Sequence, residues 1–350
     1  MATICKPSVI FPNHKIKQEE IITVLKSIFP SYSNWNRAET MIRNTEVETR
    51  SLILPIEEVI NLKGFGERNV IYEKEAIKLS VAASKEALRN GNVKPSDINM
   101  IIVVSCTGFM MPSLTSYLIN ELNLNSETVQ LPIAQLGCVA GGSALNRAFD
   151  YLTLYPNHNV LLVSAEFPSL CFQGMDEDLS SLIASAIFGD CVSACVIKGK
   201  NLDASGYKIT ATGTYLLKNS ENYIKYDIKD SGFRFGVNKE VMHSIEKVAP
   251  LLKNFSVQKQ NKQIQDLDFF IFHTGGRRIL DELVIHLALK EESVEFSRRS
   301  LQACGNIASG AVFDVLRQEF ESLKRESNDI GIMAAFGPGF TMEYNTGVWV

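Results

Sequence analysis

Short, almost wholly apolar runs alternate with helical patterns along this chain of 350 residues. Residues 98–105 read Ile-Asn-Met-Ile-Ile-Val-Val-Ser, and residues 159–164 form a similar run, as is typical of strands buried on both faces. Between such runs, as in residues 69–90, apolar side chains recur at helical spacing. This alternation predicts an α/β protein with mostly parallel sheets, and ligands in such folds gather at the carboxyl ends of strands.

The second half of the chain repeats the plan of the first half. Buried runs at 268–272 and 330–335 are again interleaved with helical patterns. A length of 350 residues suits two units or one large double unit, because domains usually span about 100–200 residues. We therefore expect two similar α/β halves, residues 1–200 and residues 201–350.

One strand-to-helix turn carries a thiol. The apolar run that begins at Leu131 ends at Gly137, Cys138 follows, and a helical pattern continues through Leu145. A helix that begins just after Cys138 presents unpaired N–H groups and a partial positive charge, which favour the nucleophilic thiolate. The alternative is a structural cysteine buried beneath a glycine-rich turn, and this stretch alone does not separate the two.

Two turns in the second half carry an imidazole and a carboxamide. His273 comes before Gly275 and Gly276 at the end of one buried run, and Asn306 follows Gly305 in another turn. A histidine can activate a cysteine, and an imidazole and a carboxamide can both donate to a developing oxyanion. Taken singly, His273 is as readily structural as catalytic, and Asn306 is more readily a turn former. The three turns together favour acyl chemistry.

Composition and charge argue against several other classes of protein. The formal charge of −4 argues against general binding of nucleic acids, and no apolar run approaches the ~20 residues of a membrane span. Seven cysteines accompany an amino-terminal segment without the features of a secretory signal. We therefore predict a reduced, cytoplasmic protein with free thiols. The cysteines and histidines lack metal-site spacing, so no metal is predicted.

Five motifs, in their order and spacing, resemble those of one family. They are Gln135-Leu-Gly-Cys-Val-Ala-Gly-Gly142, Ala186-Ile-Phe-Gly-Asp190, His273-Thr-Gly-Gly-Arg-Arg-Ile-Leu-Asp281, Gly305-Asn306 and Phe336-Gly-Pro-Gly339. Over nearly its whole length the chain is similar to the type III polyketide synthases, the chalcone and stilbene synthase family. The resemblance implies a thiolase fold, in which two similar halves form a five-layer αβαβα arrangement, and a homodimer.

The resemblance also implies a reaction. Cys138 would take an acyl group from a starter acyl-CoA, and malonyl-CoA would then lose carbon dioxide. The resulting enolate, stabilised by His273 and Asn306, would attack the Cys138 thioester in a Claisen condensation, and the cycle would repeat before ring closure. No cofactor is implied, because CoA thioesters are the substrates, and no acyl carrier protein is required.

Two residues carry over as features of the family's cavity. Phe188 matches the gatekeeping aromatic, whose apolar wall would disfavour the charged malonyl carboxylate. Met111 matches a residue that reaches into the partner's cavity. The alternatives are a core phenylalanine before the Gly-Asp turn and a core methionine before a proline that starts a helix.

The residues matched to the substrate pocket indicate a starter. Plant members of the family usually carry hydroxyl residues where this chain has Cys106, Pro168, Cys171 and Ala308. A less polar lining gains from burying methylene groups and offers little to a phenol hydroxyl. The resemblance therefore predicts a fatty acyl-CoA starter and an alkyl pyrone or alkylresorcinol product. Larger side chains at Cys106 or Ala308 are expected to shorten the preferred starter.

Further substrate contacts are expected on the same grounds. Phe233 matches a second gatekeeper, and Gly337 and Pro338 belong to a loop whose first glycine is replaced here by Ala335. The positive charges expected to dock CoA phosphates, with solvated surface arginines as the alternative, are Arg43, Arg277 and Arg278.

Three rival functions remain at this stage. A ketoacyl synthase of fatty acid initiation has the same fold and trio but usually depends on an acyl carrier protein. A cysteine hydrolase of the papain type is disfavoured, because its signature around the cysteine is absent. An inactive dimer partner that only binds acyl-CoA is disfavoured because Cys138, His273 and Asn306 are all present.

Overall fold

The computed structural model of the chain describes residues 1–172, 174 and 178–350. The strands are β1 (Ala2–Ile4), β2 (Ser8–Ile10), β3 (His14–Lys17), β4 (Thr49–Leu52), β5 (Ile98–Val104), β6 (Val129–Ile133), β7 (Asn159–Glu166), β8 (Cys191–Gly199), β9 (Tyr207–Leu216), β10 (Ile224–Lys229), β11 (Gly232–Val237), β12 (Phe269–Phe272), β13 (Ile330–Gly337) and β14 (Thr341–Trp349). The α-helices are α1 (Gln18–Ile28), α2 (Trp35–Arg43), α3 (Ile56–Val59), α4 (Phe65–Asn90), α5 (Leu114–Leu122), α6 (Ala140–Leu154), α7 (Leu179–Ile187), α8 (Ser244–Gln260), α9 (Arg277–Leu287), α10 (Glu295–Cys304) and α11 (Ala311–Ser322).

Strands from both halves join one continuous sheet. Its order is β12-β13-β14-β9-β1-β8-β7-β5-β6, with β2 paired to β8. Within it, β5 pairs in parallel with β6 and β7, and β12 with β13, whereas the other described pairs are antiparallel. The expectation of mostly parallel pairing is therefore wrong. A continuous apolar run indicates that both faces of a strand are buried, but it does not indicate whether the strand runs parallel or antiparallel to its neighbours.

Three apolar cores produce the layers. The central core joins Leu145 of α6 and Phe313 of α11 to Ile102 of β5 and Met333 of β13. A second core packs α4 and α5 against the other face of the first-half strands, and a third packs α8 and α9 against the other face of the second-half strands. Because alternate residues of a strand face opposite sides, each central strand serves two cores. The two halves of the continuous sheet enclose α6 and α11 between them and carry α4, α5, α8 and α9 on their outer faces. The layers therefore follow the order helix, sheet, helix, sheet, helix.

Smaller elements outside this frame surround one end of it. The helices α1 and α2 pack on α7 around a fourth apolar core. The strands β10 and β11 form a separate hairpin. At the hairpin's turn the N–H of Phe65 donates to the carbonyl of Asp230 at 3.1 Å. At its base the Ser180 hydroxyl donates to the carbonyl of Val237 at 3.0 Å.

In the part of the chain that the structure describes, no helix combines the length and the apolar character needed to cross a bilayer. All seven cysteines are free thiols.

Candidate active site

Cys138 lies in a tight turn between β6 and α6. Residues 137–139 form one turn of 3₁₀-helix, and α6 begins directly afterwards. Gly137 has a φ of 57°, and a Cβ atom there would lie 2.7 Å from the ring of Pro338. A Cβ atom on Gly337 would lie 2.7 Å from the amide nitrogen of Val139. The two glycines therefore permit the loop after β13 to pack directly against the cysteine turn.

His273 follows the last residue of β12. Its backbone N–H donates to the carbonyl of Ala334 at 3.0 Å, and the Ser297 hydroxyl donates to the carbonyl of Phe272 at 3.0 Å. The side chain is 2% exposed, and its buried Nδ1 has no hydrogen-bond partner among the residues that the structure describes. Gly275 lies close to the imidazole, because a Cβ atom there would be 3.4 Å from Nε2. The position of the ring is thus set by the end of the sheet and by a close glycine.

Asn306 is held by its own backbone and side chain. Its Oδ1 accepts a hydrogen bond from the N–H of Ala308 at 3.0 Å, which leaves the amide hydrogens as donors. Its backbone N–H donates to the carbonyl of Ile187 at 2.8 Å, and its carbonyl accepts from the N–H of Gly189 at 3.1 Å. These bonds form a parallel bridge to Phe188.

The three predicted side chains meet at one cavity, which we call the reaction cavity. Cys138, His273 and Asn306 all line it, and it encloses about 820 Å³ counted out to its open mouth. Most of its other walls are apolar and are formed by Ile183, Ala184, Ile187, Phe188, Ile224, Phe235, Val237, Val241, Ile279, Phe336 and Phe340.

Burial dominates the electrostatics of this cavity. It raises the pKa of the Cys138 thiol to about 12, and the nearby Glu166 carboxylate adds to the rise, while a hydrogen bond with the Asn306 side chain opposes it. Burial also lowers the pKa of His273 to about 4. A neutral thiol and a neutral imidazole therefore prevail near pH 7. The thiolate expected from the helix N-terminus is not favoured, because burial is the largest cause of the shift in the pKa of the thiol.

A buried carboxylate lies behind Cys138, and sequence reasoning did not single it out. Glu166 ends β7 and accepts hydrogen bonds from the Ser309 hydroxyl at 2.5 Å, from the Thr107 hydroxyl at 3.1 Å and from the N–H of Cys106 at 3.1 Å. Burial raises its pKa to about 7 despite these bonds. The group joins both halves of the chain, since Ser309 comes from the second half.

A second cavity, which we call the outer cavity, adjoins the reaction cavity. It encloses about 800 Å³ counted out to its mouth, and both cavities are lined by Ala184, Phe188 and Phe235. The rings of Phe188 and Phe235 meet edge to face at 5.0 Å. The predicted gatekeeper Phe188 thus belongs to a partition between two cavities.

The two phenylalanines of β11 differ in what they contact. Phe235 lines both cavities, whereas Phe233 packs on Phe65 and stacks on Tyr226. The two phenylalanines stand two residues apart on β11 and so share a face. The gatekeeping role of Phe233 stays a prediction.

The outer cavity is mostly apolar. Its walls include Ile21, Val24, Leu25, Ile28, Leu52, Ile56, Val59, Ile60, Pro168, Cys171, Phe172 and Tyr226. The Tyr226 hydroxyl forms a hydrogen bond with the Cys171 thiol, which lowers the pKa of that thiol although burial raises it to about 12 overall. The sequence did not identify Tyr226, α1 or α3 as parts of a cavity wall. A local pattern does not indicate which residues far along the chain a segment will contact.

Several predicted pocket residues lie beside the cavities and do not line them. Cys106 faces Glu166, with its sulfur 3.6 Å from that carboxylate, and Ala308 supports Asn306 with a φ of 49°. Gly337 and Pro338 pack against the cysteine turn. Their assignment as substrate contacts stays a prediction. Enlarging Ala308 would strain the Asn306 turn, because a positive φ disfavours bulky side chains.

Ala335 causes no difficulty for the loop that it precedes. It lies within β13, where extended backbone suits alanine as well as glycine.

The predicted CoA-binding arginines are paired with carboxylates on the surface. Arg43 bonds to Glu19 and Glu39, with Nη2 2.8 Å from Glu19 Oε2. Arg277 lies 3.3 Å from both Glu46 and Asp281, and Arg278 lies 3.7 Å from Glu282. Of the three, Arg277 and Arg278 begin the helix whose Ile279 lines the reaction cavity. The cavity residues do not include Met111, which is 87% exposed.

Comparison with known proteins identifies relatives along the whole chain. Family models described as chalcone and stilbene synthases match it, the N-terminal domain over residues 34–201 and the C-terminal domain over residues 208–346. The chain is 51% identical to phloroglucinol synthase of Pseudomonas fluorescens over 100% of this chain and 99% of that protein. It is 43% identical to 1,3,6,8-tetrahydroxynaphthalene synthase of Streptomyces coelicolor over 100% of this chain and 92% of that protein.

A solved structure agrees with these matches. The crystal structure of 1,3,6,8-tetrahydroxynaphthalene synthase from Streptomyces coelicolor superposes with a TM-score of 0.96 at 42% identity over 99% of both chains. This likeness confirms the expected thiolase fold. With both family models matched, the chain belongs to the chalcone and stilbene synthase family and is a type III polyketide synthase, an acyltransferase that uses malonyl-CoA.

Proposed function

We propose that this enzyme uses malonyl-CoA as both starter and extender and releases phloroglucinol. The observation that carries the proposal is 51% identity to a phloroglucinol synthase across 100% of this chain. The reaction cavity supports it, because its aromatic and aliphatic walls enclose space for a short chain beside Cys138.

The trio would act as follows. Cys138, from residues 1–200, attacks the malonyl thioester while His273, from residues 201–350, takes the thiol proton. CoA leaves as its thiolate and takes a proton from solvent, so the imidazole keeps its N–H. A neutral imidazole suits this role, because it can accept a proton. His273 and the Asn306 amide hydrogens then donate to the enolate oxygen formed when malonyl-CoA decarboxylates.

Chain growth and release follow from the same groups. The enolate attacks the Cys138 thioester, the extended chain returns to Cys138, and the cycle repeats. After two extensions and loss of the starter carboxylate, the terminal carbanion attacks the thioester carbonyl and expels the Cys138 sulfur. Enolisation of the six-carbon ring gives the aromatic product.

The test is incubation of the purified enzyme with malonyl-CoA alone, followed by liquid chromatography and mass spectrometry. Phloroglucinol is expected as the main product, and the Cys304→Ala variant, which alters a thiol outside both cavities, should give the same product. Absence of any product until another acyl-CoA is added would overturn the proposal, and so would a requirement for malonyl on an acyl carrier protein.

A second function is supported by the outer cavity. Its apolar walls would bury the tail of a fatty acyl-CoA starter once Phe188 and Phe235 move apart, at about 0.8 kcal/mol for each methylene group. The products would then be alkyl pyrones or alkylresorcinols. With acyl-CoA starters of increasing length, kcat/KM should rise until the cavity is filled. A preference for aromatic starters such as coumaroyl-CoA, or no turnover of fatty starters, would exclude this function.

Docking of CoA is proposed at Arg43, Arg277 and Arg278. Each guanidinium is already paired with a carboxylate, so a phosphate must compete for it. Arg277→Ala is expected to raise the KM for malonyl-CoA and to weaken its dependence on salt. An unchanged KM and an unchanged salt dependence would remove Arg277 from the site.

We also propose a cytoplasmic homodimer. Free thiols suit a reducing compartment. Met111 and Phe109 are 87% and 58% exposed, and the edge strand β6 carries Val129, 46% exposed, so an apolar surface is available to a second copy. Light scattering should give twice the chain mass of 38.9 kDa, and a monomer at micromolar concentration would contradict the dimer.

A further inference from the structure

Arg68 is a buried cation that does not touch the reaction cavity. It lies in the first turns of α4 and is 4% exposed. Its three guanidinium nitrogens each donate to a different carbonyl: Nη2 to Leu62 at 2.8 Å, Nε to Ser231 at 3.1 Å and Nη1 to Leu170 at 3.2 Å. A planar fork of donors is needed to reach three carbonyls in three directions.

The three carbonyls belong to segments that build the outer cavity. The segment before Leu62 supplies Val59 and Ile60, the turn that contains Leu170 supplies Pro168 and Cys171, and the hairpin that contains Ser231 supplies Tyr226, Arg234 and Phe235. These segments are remote from one another in the chain. Arg68 therefore joins three walls of one cavity.

The surroundings of Arg68 favour keeping its three hydrogen bonds. Burial disfavours the charged guanidinium and lowers its pKa, and each of the three hydrogen bonds offsets part of that cost. The N–H of Phe65 reinforces the same contact, because it donates to Asp230 in the hairpin turn. A shift of any one wall would break a charge-assisted hydrogen bond.

We propose that Arg68 is a positioning residue that fixes the walls of the outer cavity and thereby limits which acyl starters the enzyme accepts. The part that concerns starters rests on the proposed use of this cavity by fatty acyl chains. The part that concerns the walls stands without it, so the two are tested separately.

The walls are tested by alkylation of individual thiols with iodoacetamide, measured by peptide mass spectrometry. Arg68→Met keeps much of the side-chain volume and removes all three donors. Cys171, in one of the tied segments, should react about fivefold faster or more in this variant. Cys195 is fully buried in β8 and serves as an internal control, since it reacts only if the whole fold opens.

A matched control comes from the same helix. Arg89 is an exposed residue near the end of α4, and Arg89→Met should leave the labelling of Cys171 unchanged.

If Arg68→Met exposes Cys195 as well, Arg68→Lys decides the question. Lysine keeps the positive charge but lacks the planar set of guanidinium donors. Arg68→Lys should therefore give an intermediate rate of alkylation at Cys171, with Cys195 still protected. A wild-type rate at Cys171 in a folded Arg68 variant overturns the proposal.

The starter range is tested by kcat/KM for a series of saturated acyl-CoA starters. In the wild-type enzyme kcat/KM should fall once the starter exceeds an optimal length. In Arg68→Met the ratio of kcat/KM for the optimal starter to kcat/KM for a longer starter should be about fivefold smaller. A merely structural role would lower all values together and keep their ratios. If the wild-type enzyme turns over no fatty starter while Cys171 still reacts faster in Arg68→Met, the second proposed function fails and the role of Arg68 in the walls stands.

Discussion

The reaction cavity and the outer cavity enclose almost the same space, about 820 and 800 Å³, yet they are built in different ways. His273 directly follows β12, Cys138 lies in the turn between β6 and α6, and Asn306 lies between α10 and α11. Backbone hydrogen bonds help to set the positions of His273 and Asn306. The outer cavity is enclosed by α1, α3, α7 and the β10–β11 hairpin, which lie outside the main sheet.

The two cavities therefore differ in the kind of element that holds their residues, and we expect them to differ in function. The three residues of the proposed chemistry lie in turns held by backbone hydrogen bonds, and the walls proposed to select substrates lie on elements joined by side chains. Substitutions in the outer cavity should therefore change which substrate is used, and substitutions in the reaction cavity should change whether any product forms.

The largest expected effect is that of Cys138→Ala. Without the sulfur no acyl-enzyme forms, so product should fall by more than about a thousandfold. Malonyl-CoA decarboxylation, which needs His273 and Asn306, should continue and is measured as acetyl-CoA. Full-length product from this variant would show that another residue is the nucleophile.

A smaller loss is expected from Asn306→Asp. The carboxylate keeps an acceptor for the N–H of Ala308 but loses the amide hydrogens that would face the enolate. Decarboxylation and condensation should both fall by about 10²–10³-fold, the usual cost of one oxyanion donor. Steady-state kinetics with malonyl-CoA measure the loss, and a fall in condensation alone would argue against a shared oxyanion site.

The partition between the two cavities can be removed with Phe235→Ala. The two spaces should merge, and the variant should turn over long acyl-CoA starters about tenfold better than the wild-type enzyme. The thermal unfolding scan should reveal a loss of about 1–3 kcal/mol in the free energy of unfolding, because an aromatic side chain is truncated.

Phe233→Ala is the matched control for that variant, because the same type of residue is removed from the same strand. It should lower stability without changing the order of preferred starters. An equal change of preference in both variants would mean that the partition has been misplaced.

The smallest effect concerns the charge behind Cys138. The Glu166 carboxylate raises the pKa of the thiol, so Glu166→Gln should lower that pKa and speed alkylation of Cys138 at pH 8 about threefold to tenfold. Because the pKa of Glu166 is itself about 7, the wild-type carboxylate becomes protonated as the pH falls, and the difference should shrink toward pH 6. Peptide mass spectrometry measures the rate, with Glu121→Gln as a surface control.

Parts of the fold could be predicted because buried strands and helices leave recognisable patterns of apolar residues in the local sequence. The run at 98–105 is β5 and the run at 159–164 lies within β7, since strands covered on both faces need continuous apolar residues. The hairpin β10–β11 was not predicted as a hairpin, although apolar and polar residues alternate along β10 from Ile224 to Lys229. Strand direction was also missed, because an apolar run carries no information about it.

The site could be predicted only where the chemistry is local. Cys138, His273 and Asn306 stand in turns with recognisable glycines, and the structure brings all three to one cavity. Phe235 and Glu166 could not be found in this way, because their roles depend on which distant residue each one faces. The thiol pKa was misjudged for the same reason, since the depth of burial is a property of the whole fold.

The bridge between Phe188 and Asn306 matters for engineering. Because the N–H of Asn306 bonds to Ile187 and its carbonyl to Gly189, the gate residue and the amide donor share one piece of backbone. Any redesign at Phe188 that moves its main chain is expected to move Asn306 as well, so we expect larger products obtained there to come with a lower catalytic rate. Phe235 stands on a separate two-stranded sheet, and a laboratory evolution library at that position can explore size while leaving the donor in place.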